Sequence, residues 1–267
     1  MRRPTVHWHE GGRGEAVLLL NGWTASGLVW PATWLRELER GRRVLRVDNR
    51  GSGWSRTAAR PYSIADLADD AAQVLRVSGV ERAAVLGLSM GGMVAQELAL
   101  RHPDLVERLV LVATRPPTPA HLPLPVKEVR AAMRDRREDE SWEAFLGELW
   151  SRQTAPGFAD RRPDVIEQIV RSVLARPTQQ HGVLGQARAV AAWHSPRRLA
   201  RITAPTVVVH GADDPMMPVG NGMRLSRLIP GARYVELAGV GHLVPYEAPE
   251  ALTEALLQPL DEITGAA

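Results

Sequence analysis

Short, continuously apolar stretches alternate with amphipathic ones along most of the chain. Ala16–Leu20 is apolar at every position, the pattern of a strand buried on both faces of a parallel sheet, and Asn21-Gly22 ends it. Val44–Val47 (interrupted by Arg46), Ala83–Leu88, Leu109–Ala113 and Thr206–Val209 repeat the pattern, and Tyr234–Leu237 carries a weaker form. Between them, Ile64–Val77 and Gly92–Arg101 place apolar residues three and four apart, as does Leu252–Leu260 near the end, which is helical spacing. Strand alternating with helix predicts an α/β fold built on a mainly parallel sheet.

One long segment breaks the alternation. From about Pro116 to His194 no strand pattern stands out, and amphipathic stretches rich in arginine, glutamate and tryptophan take its place. The segment opens on Arg115-Pro116-Pro117-Thr118-Pro119 and closes on Trp193-His194-Ser195-Pro196, both breaks in regular structure. The expectation is an α/β core formed by residues 1–115 and 196–267, with a helical cap, 116–195, inserted after the carboxyl end of a strand. No internal repeat suggests another architecture.

Composition narrows the class. A chain of 267 residues can bury one large core, and 45% hydrophobic with 24% charged residues is ordinary for a soluble globular protein, not a disordered one. No run approaches the roughly 18 apolar residues of a membrane span, and Met1-Arg2-Arg3-Pro4 leads into polar sequence, not a signal-type block. A cytoplasmic protein without a membrane partner is expected. The absence of cysteine excludes disulfides, thiolate metal sites and a cysteine nucleophile. A formal charge of +3, with acidic residues interspersed among the basic ones, gives a mixed surface and no nucleic-acid stripe.

Candidate chemistry centres on Val85-Leu86-Gly87-Leu88-Ser89-Met90-Gly91-Gly92-Met93, which sets GxSxG between a predicted strand and a predicted helix. A serine on so sharp a turn is forced into a strained conformation that exposes its hydroxyl, and glycine-sized neighbours let strand and helix approach. Serine needs a base to accept its proton. His242, in Gly239-Val240-Gly241-His242 after the last strand, has the best context of the eight histidines. His7 and His9 fall in an N-terminal strand, His102 at a helix end, His210 at a strand end, and His121, His181 and His194 in the cap, all positions suited to structural roles. The base needs a carboxylate to orient it, and Asp213 and Asp214, after the strand Thr206–Val209, both qualify. Two backbone donors for an oxyanion, worth about 3 to 4 kcal/mol each, are expected from the amides of Met90 and Trp23.

These motifs, with Asp48-Asn49-Arg50-Gly51-Ser52-Gly53-Trp54-Ser55 after the Val44–Val47 strand, resemble the α/β-hydrolase superfamily. The likeness is strongest to its small esterase-like branch of 3-oxoadipate enol-lactonases, cofactor-free haloperoxidases and methyl-ester esterases. It runs from Val17 to His242. The family's acid stands three residues after the glycine of its strand-end motif, which maps onto Asp214. The resemblance therefore implies an α/β-hydrolase fold and a Ser89-His242-Asp214 triad that cleaves a small-molecule carboxylic ester or lactone through an acyl-enzyme, with no metal or cofactor. Three departures stand out: Asn21-Gly22 replaces the family's His-Gly, the N-terminus looks one strand short, and 118–192 matches only as a helical cap. Met133, Trp142, Phe145, Trp150 and Phe158 in the cap, and Met217 beyond it, are candidates to line an apolar pocket. Perhydrolysis or halogenation with peroxide on the same acyl-enzyme, and a non-hydrolytic small-molecule-binding or biosynthetic protein on the same architecture, are the alternative readings.

Overall fold

The computed structural model describes residues 6–55, 61–259 and 262–263. Its first half runs β1 (Trp8–Gly11), β2 (Glu15–Leu20), α1 (Ala32–Glu39), β3 (Arg42–Val47), α2 (Ile64–Val77), β4 (Ala83–Leu88), α3 (Met90–Arg101) and β5 (Val106–Val112). Five helices follow with no strand among them: α4 (Val126–Ala132), α5 (Trp142–Ser151), α6 (Phe158–Arg161), α7 (Pro163–Ala175) and α8 (Gln180–Ala191). The chain then returns through β6 (Thr206–Gly211), α9 (Gly220–Leu228), β7 (Arg233–Leu237), α10 (Val244–Glu247) and α11 (Pro249–Leu257).

The seven strands form one sheet in the order β1-β3-β2-β4-β5-β6-β7. Only β1 is antiparallel, pairing Trp8 with Val47 on β3, while β2 pairs in parallel with both β3 and β4. The apolar runs are continuous because both faces are covered, and alternate side chains serve opposite layers. Leu18, Leu20, Val85, Leu109 and Leu111 pack toward α2 and α3, whereas Val17, Leu19, Leu86, Val110 and Val112 pack toward α1 and α11. One strand, β1, precedes β2 among the described residues.

Differences from the sequence reading lie at the ends of elements. β5 begins at Val106, three residues before the apolar run, since Glu107 and Arg108 sit toward the exposed end of a strand that is buried farther along. It ends before Ala113, whose φ of 45° turns the chain. The terminal helix starts at Pro249 and stops at Leu257; Leu260 lies outside the described residues. α2 opens on a capping box in which Ser63 Oγ accepts from the Asp66 amide and the Asp66 carboxylate accepts from the Ser63 amide.

A third apolar cluster joins α5 and α7 to the sheet's carboxyl edge. Phe145, Leu146 and Trp150 meet Val165, Ile166, Ile169 and Val170, and the same cluster takes in Ala25, Val29 and Leu243 from the loops after β2 and β7. Because β2 to β7 point the same way, the loops after β2, β4, β6 and β7 all emerge at that edge, beneath the inserted helices. No described helix is long and apolar enough to cross a membrane.

Candidate active site

Ser89 stands between β4 and α3 with φ 55° and ψ −117°, outside the regions that non-glycine residues favour. Three contacts hold it there. Its amide donates to Val112 O (2.9 Å), and its carbonyl accepts from the Gly92 amide (3.0 Å) and from Thr114 Oγ1 (2.7 Å). The glycines are required by close approach: a Cβ on Gly87 would stand 2.3 Å from Gly91 O, and one on Gly91 would stand 2.0 Å from Leu20 O. Met90, buried, opens α3, so its amide belongs to the first turn, where N–H groups have no intrahelical acceptor.

His242 lies in the loop after β7, its Nδ1 2.7 Å from Asp214 Oδ2. Of the paired aspartates, Asp214 reaches the histidine and Asp213 is exposed. Asp214 is pinned from its other side, since Oδ1 accepts from the amides of Met216 and Met217, both at 2.8 Å. His210 Nε2, facing the Met217 carbonyl at 2.9 Å, stands 3.5 Å from Asp214 Oδ2. Burial opposes ionisation of Asp214, but the charge of His242 and the hydrogen bonds from His210 and His242 outweigh it and hold the carboxyl at about 2.

The loops around this pair are tied to the inserted helices. The His242 amide donates to Gln153 O (2.8 Å), and a Cβ on Gly241 would stand 2.3 Å from the Ala155 nitrogen, so only glycine admits the insert this closely. Glu247 accepts three amides, from Ala155 (2.8 Å), Gly241 (2.9 Å) and Leu243 (3.1 Å). Burial pushes the Glu247 carboxyl up and those three bonds oppose it. On the opposite side, Gly22 abuts the serine, a Cβ built on it falling 3.3 Å from Ser89 Cβ and 3.8 Å from Oγ. The following residues hang from α8 and the loop before it. Trp23 Nε1 donates to Val183 O (3.0 Å), the Thr24 amide donates to Gln186 Oε1 (2.8 Å), and Thr178 Oγ1 donates to Thr24 O (2.7 Å). Gln186, at 0% exposure, also donates through Nε2 to Arg50 O (3.0 Å) and Ser52 Oγ (2.9 Å).

Ser89, His242, Trp23 and Met216 share one cavity of about 740 Å³ with Met133, Trp142, Phe145 and Trp150. Phe158 is not part of its lining, and Met217 is a correction to the sequence reading. Met217 is 3% exposed and packs into the main core, its Sδ 3.6 Å from Asn221 Nδ2. The turn that wraps Asp214 sends the side chains of consecutive residues different ways, leaving Met216 at the cavity. The sequence does not single out Gln186 or Glu247. No local pattern separates Gln186 from the other glutamines of the insert, because its partners lie as many as 162 residues away. Glu247 carries only the weak signal of an acid shortly after the candidate base.

Residues 15–249 match the family model described as alpha/beta hydrolase fold. The pimeloyl-[acyl-carrier protein] methyl ester esterase of Aliivibrio salmonicida is 29% identical over 265 residues, covering 97% of this chain and 98% of that protein. A solved hydrolase from Pseudomonas aeruginosa PA01 superposes with a TM-score of 0.78 at 33% identity, covering 94% of this chain and 92% of that one. The enol-lactonase from Burkholderia xenovorans LB400 gives a TM-score of 0.77 at 27% identity, covering 94% and 95%.

Proposed function

The chain belongs to the alpha/beta hydrolase fold family, and from that premise we propose that it hydrolyses a carboxylic ester or lactone through an acyl-enzyme on Ser89. The observation that carries this reading is the 2.7 Å pairing of His242 with the buried Asp214 carboxylate, on the wall of the cavity where the strained Ser89 also stands. The relatives add chemistry of the same kind, one named for a methyl ester and one for an enol-lactone.

In this mechanism Ser89 Oγ attacks the substrate carbonyl carbon as His242 takes its proton. Asp214, ionised because its carboxyl lies near 2, keeps the imidazole oriented and stabilises the imidazolium. The negative oxygen of the tetrahedral intermediate accepts from the amides of Met90 and Trp23. Collapse breaks the ester C–O bond, His242 returns the proton to the departing alkoxide, and the acyl group stays on Ser89. Water then attacks that ester by the same steps in reverse, releasing the acid and restoring the serine. In a lactone the leaving hydroxyl remains tethered to the released acid.

Residues 116–195 act as a cap in this reading, with Met133, Trp142, Phe145 and Trp150 forming an apolar wall opposite the serine. A wall of that kind suits a substrate with an apolar acyl or alcohol portion. Intact mass after exposure to a fluorophosphonate tests the nucleophile without knowledge of the substrate. One adduct on the wild type and none on Ser89→Ala is expected, together with turnover of simple esters or lactones that the variant lacks. A correctly folded wild type that takes no adduct, or an adduct that persists in Ser89→Ala, would sink the proposal.

A further inference from the structure

Outside the cavity, His7, His9 and Asp48 bring three ligand atoms to within 4.8 Å of one another. His7 immediately precedes β1 and His9 lies within it, and side chains two apart on extended backbone share a face. β1 runs antiparallel to β3, and the Asp48 amide, just past the end of β3, donates to His7 O (3.0 Å), which sets the carboxylate against that face. Asp48 Oδ2 stands 3.1 Å from His7 Nδ1 and 3.7 Å from His9 Nε2.

Two features of this cluster exceed what an ordinary His–Asp contact explains. His9 Nε2 is buried without a hydrogen-bond partner, its distance to Asp48 Oδ2 being too long for one. The Asp48 carboxylate, fully buried, is also held in a fixed orientation by backbone donors, Oδ1 accepting from the Gly27 amide (2.7 Å) and Oδ2 from the Trp54 amide (3.0 Å). Outer hydrogen bonds of this kind orient the carboxylates that ligate metals. The rings are confined as well: a Cβ on Gly27 would stand 2.7 Å from His9 Cδ2, and the Trp54 ring lies 5.2 Å from His7 and 5.1 Å from His9.

We propose that His7, His9 and Asp48 bind one divalent transition-metal ion of the zinc class, which fastens the edge strand β1 to the loop after β3. With metal–ligand bonds of about 2.0–2.2 Å, neighbouring ligands of a tetrahedral ion lie about 3.3 Å apart, close to the two separations to Asp48. Two imidazoles and one carboxylate favour zinc, copper or nickel over the oxygen-seeking magnesium and calcium. The ion would supply His9 Nε2 with the partner it lacks, and His7, 41% exposed on its side chain, leaves the fourth position open to water.

The test is calorimetric titration of untagged, chelator-treated protein with ZnCl2, alongside His7→Ala and His9→Ala. The wild type should bind one equivalent, with magnesium neither binding nor competing, and its unfolding temperature should rise with zinc. Each substitution should weaken binding by at least about tenfold, the lower end of what losing even an outer-sphere partner of a metal site costs. His7 holds the Asp48 amide and Ser55 Oγ through its backbone, which alanine retains, so His7→Ala is expected to fold and is decisive if His9→Ala is unstable. Absence of saturable binding to the wild type, or an affinity unchanged in His7→Ala, would overturn the proposal.

Discussion

At the scale of single residues, Ser89 occupies a backbone conformation that costs on the order of 1–3 kcal/mol, and its surroundings hold it there. Val112, Gly92 and Thr114 engage both its peptide groups, so the strain is maintained by β5 and by the first turn of α3 rather than by the serine itself. Asp214 shows the same dependence on neighbours. Its carboxyl is depressed from 3.8 to about 2, so its ionised form is better stabilised in the folded chain than in the unfolded one. That stabilisation, about 2 kcal/mol, is complete above pH 4 and is lost as pH falls from about 4 through 2. Asp214→Asn should therefore be less stable than the wild type in urea unfolding at pH 7, with the gap closing near pH 2, and its kcat should fall by on the order of 10⁴. A gap independent of pH would show that the carboxylate charge does not contribute.

At the scale of elements, α8 and the residues before it brace the loop after β2. Gln186 links the Thr24 amide to the backbone at Arg50 and the hydroxyl of Ser52, joining three segments distant in sequence. Gln186→Ala leaves the Thr24 amide unpaired and is expected to lower kcat about tenfold at nearly constant KM, with a stability loss of about 1–3 kcal/mol. Gln186→Glu, which keeps the acceptor for Thr24, should recover more of kcat than of stability. Steady-state kinetics and urea titration of both variants check this; a loss of stability with kcat unchanged would limit the side chain to packing.

At the scale of the whole molecule, the inserted helices are not independent of the sheet. The cluster holding α5 to α7 extends to Ala25, Val29 and Leu243 on the loops that flank the candidate site, and the insert's backbone accepts a hydrogen bond from the His242 amide at Gln153 O and donates one from the Ala155 amide to Glu247. Ile169 is fully buried in that cluster, so Ile169→Ala should cost about 2–5 kcal/mol. Because the cluster is shared, unfolding of this variant should remain one transition displaced to lower denaturant. Two resolved transitions, by tryptophan fluorescence and by circular dichroism, would show that the insert unfolds by itself.

Much of this arrangement was legible in one dimension because it depends on neighbours in the chain. Continuous apolar runs such as Ala83–Leu88 announce a strand covered on both faces, and Gly87 and Gly91 around Ser89 announce a turn with no room for a Cβ. Those constraints act over a few residues, and a few residues display them. The choice between Asp213 and Asp214 by geometry, the place of Met216 instead of Met217 at the cavity, and the bracing by Gln186 and Glu247 had no such signature. Each depends on where a turn aims consecutive side chains or on which backbone atoms arrive from far along the chain. The same holds for His7, His9 and Asp48, which meet only because β1 pairs antiparallel with β3. Local spacing determined the elements and the types of residue available for chemistry; strand pairing and the seating of the insert decided which of them share a surface, since distance in space is set by packing, not by position in sequence.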